Sequence, residues 1–132
     1  MKKTALHVSI GLGLAILTIV VHSFLSAEQG LELGSFLLVL IGSVYFGFAV
    51  LSHSHKVMTL ETTVASLFVL QGVFGLWVSP WFLIVGLFLH GVWDLLHHNS
   101  NGKVFAQIPQ WYMPFCAAYD WTMAGYFLYL IA

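Results

Sequence analysis

The chain has no arginine, a single cysteine, three prolines, and charged side chains at only 7% of its 132 positions. Each shortage excludes something. A soluble domain carries charge at about a quarter of its residues, so this sequence cannot build an ordinary aqueous surface. Four lysines are its only fixed cations, and the net charge is -1. No basic face exists to neutralise phosphates, which excludes nucleic acid as a partner. The lone Cys116 rules out an internal disulfide framework. Zinc-finger spacing, H-E-x-x-H, paired cysteines and a phosphate-binding glycine loop are all missing. There is no internal repeat and no low-complexity tract.

Apolar surface is what the chain has in quantity. Hydrophobic residues make up 60% of it, and the mean hydropathy is +0.94. A membrane helix needs about 20 apolar residues. Five stretches supply them, roughly 5–27, 34–52, 61–79, 80–98 and 113–131. The expected fold is therefore an all-α integral membrane protein, a bundle of five transmembrane helices forming one domain over residues 1–132. A four-helix count would need 61–98 to run as one helix with Pro80 inside it. Proline breaks a helix interior but suits the first turn of a new helix. "MKK" with an apolar run ending "FLSA" has the outline of a secretory signal, whose removal would leave four spans. The run outlasts a usual signal core and is read as the first span. Asn99, Asn101 and Gly102 read as turn residues. Glycines 11, 13, 42, 47, 72, 75 and 86 suit close helix contact.

Lysine placement gives direction. Lys2 and Lys3 precede the first span, Lys56 follows the second and Lys103 follows the fourth. With five spans all of them fall on one side, so the N-terminus is expected in the cytoplasm and the C-terminus outside. Trp77, Trp81, Trp111, Tyr112 and Trp121 sit mostly at span ends, as an aromatic belt does.

Against this background, residues 89–99, "LHGVWDLLHHN", stand out. At about 100° per residue, His90, Asp94 and His97 fall within a stripe of roughly 60°, with His98 to one side. Such a stripe facing lipid would be very costly, so it is expected to face the bundle interior. On the fifth span Cys116, Asp120 and Met123 share a face. Asp120 lies about two turns in from the lysine side, the same depth as His90 and Asp94. Glu61 opens the third span on that side, and His53 and His55 close the second.

Neutral imidazole with carboxylate is a ligand set for zinc, iron or manganese. The candidate metal ligands are thus His90, Asp94, His97, His98, Asp120, His53, His55 and Glu61. Their number permits two ions. A cation would neutralise carboxylates that burial otherwise forces to take protons. Two other readings of the cluster stay open: a hydrogen-bonded polar core, and a metal-free acid/base or proton relay. Glu61 also suits a helix dipole as a first-turn acid, His98 an interfacial position, and Cys116 a plain buried thiol. His7 and His22 read as single polar groups facing neighbouring helices.

The pairing of "HGVWDLLHH" with a downstream "PFCAAYDW" resembles small bacterial multi-span proteins grouped as a domain of unknown function. Those carry a similar H-x-x-W-D-x-x-H-H helix, a Pro-rich aromatic loop and a further helix with an Asp. The resemblance implies a bacterial inner membrane and no particular activity. The "LHH" ending is also similar to the histidine boxes of membrane fatty-acid hydroxylases and desaturases. Those have several boxes, whereas this chain has one partial match with Asp94 in place of a histidine.

The function expected is metal binding, with zinc or iron held in the cytoplasmic half of the bundle. An enzyme of this kind would be a hydrolase or oxidoreductase acting on a lipid or other apolar small molecule. Three other readings remain open. One is a small transporter or channel using the stripe as a proton or ion path. Another is a non-catalytic membrane subunit, including a homo-oligomer. The third is haem ligation by two histidines.

Overall fold

The computed structural model describes residues 2–52, 54–100 and 104–132. His53 as a ligand, Asn101 and Gly102 as turn residues, and the position of Lys103 lie outside the described residues. Five α-helices account for nearly all of the rest: α1 Lys2–His22, α2 Ala27–Val50, α3 His55–Trp77, α4 Pro80–Ser100 and α5 Tyr112–Ile131. Among the described residues there is no strand. Helices α1 to α4 are long and apolar enough to cross a membrane. The 20-residue α5 matches them in length, but Asp120 and four tyrosines lower its apolar content. It packs against α1 on one side and α4 on the other. The protein is an all-α, multi-pass bundle.

Helix ends depart from the hydropathy boundaries for local reasons. "EQGLEL" is not a loop, because α2 starts at Ala27. Ser26 accepts from the Gln29 N–H at 3.2 Å while Gln29 accepts from the Ser26 N–H at 3.1 Å. This reciprocal capping box fixes the start, with Glu28 in the first turn favoured by the helix dipole. Helix α3 begins at His55, so most of "HSHKVMTL" is helical and Glu61 lies well inside the helix. Pro80 does open α4, and Asn99 belongs to its last turn.

Helix α4 is central, touching α3, α5 and α2, whereas α1 leans mainly on α5. Accordingly α1 buries only Gly11, Ala15 and His22, while α4 buries a long stripe from Leu83 to His97. The outer surfaces present residues such as Ile16, Phe36 and Leu40, each about 60% exposed, which suits lipid contact. Within lipid, close approach of helices depends on small residues. At Gly72 a Cβ would meet the Ser35 carbonyl oxygen at 2.9 Å, so only glycine permits this α2–α3 contact. Gly13 and Gly47 have nothing within 4 Å, so helix contact does not explain them. The apolar core, including Leu38, Leu83, Leu87, Met123 and Phe127, fills the bundle toward the α3–α4 turn. Buried Glu61, His90, Asp94, His97 and Asp120 collect on the other side of that plug, while His22 and Ser35 lie on its near side.

Candidate metal centre

Three helices meet at the polar layer. From α4 come His90 and Asp94, one turn apart on the buried stripe. From α5 come Cys116 and Asp120, also one turn apart, and from α2 comes Tyr45. His90, Asp94, Asp120 and Tyr45 have no measurable exposure, and Cys116 is 3% exposed. His90 Nδ1 lies 2.7 Å from Asp120 Oδ2 and 3.5 Å from Asp94 Oδ2. Cys116 Sγ donates to Asp120 Oδ2 at 3.8 Å. Tyr45 donates its hydroxyl to Asp94 Oδ1. Donor atoms of His90, Asp94, Cys116 and Asp120 all lie within 4.8 Å of one another.

Hydrogen bonding inside the group is incomplete. His90 Nε2, Asp94 Oδ2 and Asp120 Oδ1 are buried without a partner. Most buried polar atoms find one, because leaving one unpaired costs on the order of 1–3 kcal/mol. Of the three, Asp94 Oδ2 is the one set among the other donors, 3.5 Å from His90 Nδ1. Phe68 and Tyr45 wall the imidazole, their ring centroids 4.7 Å and 5.3 Å from it.

A second polar layer lies nearer the α2–α3 end of the bundle. His97 Nε2 is 2.8 Å from Glu61 Oε1, which also accepts the Ala106 N–H at 2.8 Å. His97 Nδ1 faces the Trp93 carbonyl oxygen at 2.9 Å. A carbonyl only accepts, so Nδ1 carries a hydrogen, and one shared proton lies between Nε2 and Glu61. The Tyr45 ring also stands edge-on to His97 at 5.3 Å, so a single phenol spans both layers. His98 is half-buried with Nδ1 unpartnered. His55 is exposed at the start of α3.

The structure therefore brings His90, Asp94 and Asp120 together and sets Glu61 with His97 in a neighbouring pair. It leaves His98 at the edge and His55 away from both. Cys116, which reads as a plain thiol in the sequence, belongs to the inner group. Tyr45 gives no motif at all. Its one signal is position on the stripe Gly34, Leu38, Gly42, Tyr45, Ala49, where a buried hydroxyl must find an acceptor. His22 does face a neighbouring helix: its ring lies between the Thr18 and Gly30 carbonyl oxygens, at 2.8 Å and 3.1 Å.

Chemically, a thiol, an imidazole and two carboxylates form a donor set suited to zinc or iron. Comparison with curated proteins and with solved structures gives no match. A family model described as "Family of unknown function (DUF6010)" matches residues 6–132, and the chain belongs to that family.

Proposed function

We propose that the protein binds a divalent cation, zinc or iron, through His90, Asp94 and Asp120, with Cys116 beside them. The observation that carries this reading is the buried quartet within 4.8 Å, three of whose polar atoms lack partners. Two aspartate charges balance a dication, so the loaded site is neutral where burial penalises net charge. His90 Nδ1, Asp94 Oδ2 and Asp120 Oδ2 are the atoms that would hold the ion, His90 standing 3.5 Å from Asp94 and 2.7 Å from Asp120 without it. Glu61 and His97 support the centre from the adjacent layer, with His98 at its rim, while His55 takes no part.

A bound ion of this kind supplies a Lewis acid for water activation or a centre for oxygen chemistry. The substrate class is apolar and lipid-like, reaching the bundle from the side. The chain is one domain in a bacterial inner membrane, with its lysine-bearing end in the cytoplasm and its C-terminus outside.

The test is metal analysis of untagged protein purified without added metal. Wild type carries roughly one ion per chain, and Asp94→Ala and Asp120→Ala each lose it. Stoichiometric metal retained in both variants sinks the proposal.

One observation favours a second reading. Tyr45–Asp94 and His90–Asp120 are hydrogen-bonded pairs that approach each other at 3.5 Å between Asp94 and His90, an arrangement that could pass a proton without a metal. Toward the α3–α4 turn that arrangement meets buried Leu38, Leu83, Leu87, Met123 and Phe127 and stops. Proton flux into liposomes in the presence of chelator would favour this reading over the first.

A further inference from the structure

At the end of the bundle away from Lys2, Lys3 and Lys56, the α3–α4 turn faces the start of α2. A cavity of about 220 Å³ lies between them, lined by Glu28, Leu31 and Glu32 of α2 and by residues 75–80. Glu28 and Glu32 are four residues apart, so their carboxylates share one face of the helix. Neither belongs to any of the three ion pairs of the described residues. His22, at the end of α1, has both ring nitrogens facing carbonyl oxygens. The helix dipole favours Glu28 in the first turn of α2. Glu32 lies beyond that turn, beside a like charge that destabilises the helix.

The opposite wall adds more oxygen. A helix leaves its last carbonyls unpaired at its C-terminus, where partial negative charge favours a cation. At the end of α3 the Val78 and Ser79 N–H groups both go to the Phe74 carbonyl. Pro80 has no N–H to give, and the Trp81 and Phe82 N–H groups go to Ser79. The carbonyls of Gly75, Leu76 and Trp77 therefore receive no amide from the turn.

A separate observation concerns Ser35, which follows Glu28 and Glu32 on the same face of α2, one turn further in. It is fully buried and its hydroxyl has no partner. Ser9, Thr18, Ser43, Thr63 and Thr122, on their own helices, each donate to the carbonyl four residues back. Ser35 does not. Its Oγ is turned toward Gly75, where a Cβ would stand 2.7 Å away, and Gly75 belongs to the cavity wall.

We infer that this cavity binds a hard divalent cation, calcium, between the two carboxylates of α2 and the last turn of α3. Two carboxylates balance its charge. The lining offers carboxylates, carbonyls and the Ser79 hydroxyl, and neither thiol nor imidazole, a set that favours calcium over zinc. At roughly 30 Å³ per water, the cavity has room for an ion with several waters. One of those waters gives the Ser35 hydroxyl the partner it lacks. Calcium accepts about six to eight oxygens in flexible geometry, whereas magnesium demands a strict octahedron. This site shares no residue with the centre at His90, so the two readings stand or fall separately.

Terbium is a luminescent stand-in for calcium, and Trp77 in the cavity wall is placed to sensitise it. The experiment is a terbium titration of the full-length protein in nonionic detergent, excited through tryptophan. Emission is expected to saturate and to be displaced by calcium with a dissociation constant of about 10⁻⁴–10⁻³ M, and by magnesium about tenfold less well. Both glutamates are exposed, so Glu28→Gln and Glu32→Gln keep the fold, and each should weaken calcium binding about tenfold. Ser35→Ala should weaken it by about 2- to 10-fold. Asp94→Ala and Asp120→Ala should leave it unchanged. Emission that never saturates, or that is unaffected in both glutamine variants, shows an adventitious ion only and overturns the inference. Emission lost in Asp94→Ala but kept in Glu32→Gln places the ion in the buried centre and overturns it as well. Displacement by zinc more effective than by calcium overturns the assignment of a hard cation. Saturable calcium binding in protein that holds no zinc or iron supports this site while removing the reading of the His90 centre.

Discussion

Tyr45 on α2 gives its hydroxyl hydrogen to Asp94 Oδ1 on α4, which leaves Oδ2 as the oxygen turned toward His90. A carboxylate held by one oxygen has its other oxygen aimed. Outer contacts of this kind commonly change metal affinity by about 10–100-fold. Tyr45→Phe keeps the ring that packs against His90 and His97 and removes only the hydroxyl. Its expected effect is a 10-fold or larger loss of zinc affinity, measured by competition with a chromophoric chelator, with unchanged helical content. Wild-type affinity in Tyr45→Phe would show that the phenol does not orient Asp94.

Metal binding should also depend on pH in a definite direction. A ligand imidazole must be neutral and ligand carboxylates ionised, so protons compete with the ion. Lowering the pH protonates the ligands and weakens binding; raising it strengthens binding until the ligands are fully deprotonated. Calorimetric zinc titrations over a pH series are expected to show affinity falling as the pH is lowered. Affinity independent of pH contradicts coordination by imidazole and carboxylate.

The Glu61–His97 pair makes a separate stability prediction. Both side chains are buried, and Glu61 also receives the Ala106 N–H, so one carboxylate ties α3, α4 and the segment before α5. Removing one partner of a buried pair costs about 3–5 kcal/mol, whereas replacing both with apolar residues costs far less. Glu61→Leu alone should lower the unfolding midpoint in detergent markedly. Adding His97→Leu should recover part of that loss, the remainder reflecting the unpaired Ala106 N–H. A double variant worse than the sum of the two singles contradicts a pair that acts as a unit.

Parts of this arrangement are legible in the chain itself. The offsets 90, 94 and 97 define a face, and counting depth from the lysine side puts Asp120 level with Asp94. That is enough to anticipate the 2.7 Å contact of His90 with Asp120. Glu61 is harder to read. Hydropathy opens the third span at residue 61, where an acid suits the dipole. The helix begins at His55, because polar residues continue a helix as readily as apolar ones. This carries Glu61 inward to a partner on another helix. Tyr45 and Cys116 are silent for a different reason. Each is common in apolar spans, and only the rotation of α2 and α5 about their axes decides whether a hydroxyl or thiol meets an acid.

Orientation is the remaining consequence of the five-helix count. If all five helices cross, the odd number of crossings puts Lys2, Lys3 and Lys56 on one side of the membrane and Ala132 on the other. The native thiol at Cys116 is buried, so it leaves a quiet background for cysteine labelling. A cysteine placed at Lys56 should react with a membrane-impermeant maleimide only after the membrane is permeabilised. One placed at Ala132 should react in intact spheroplasts. Equal protection of both positions would mean an even number of crossings. Helix α5 would then lie on the membrane without spanning it, and Asp120 could no longer reach the depth at which it meets His90.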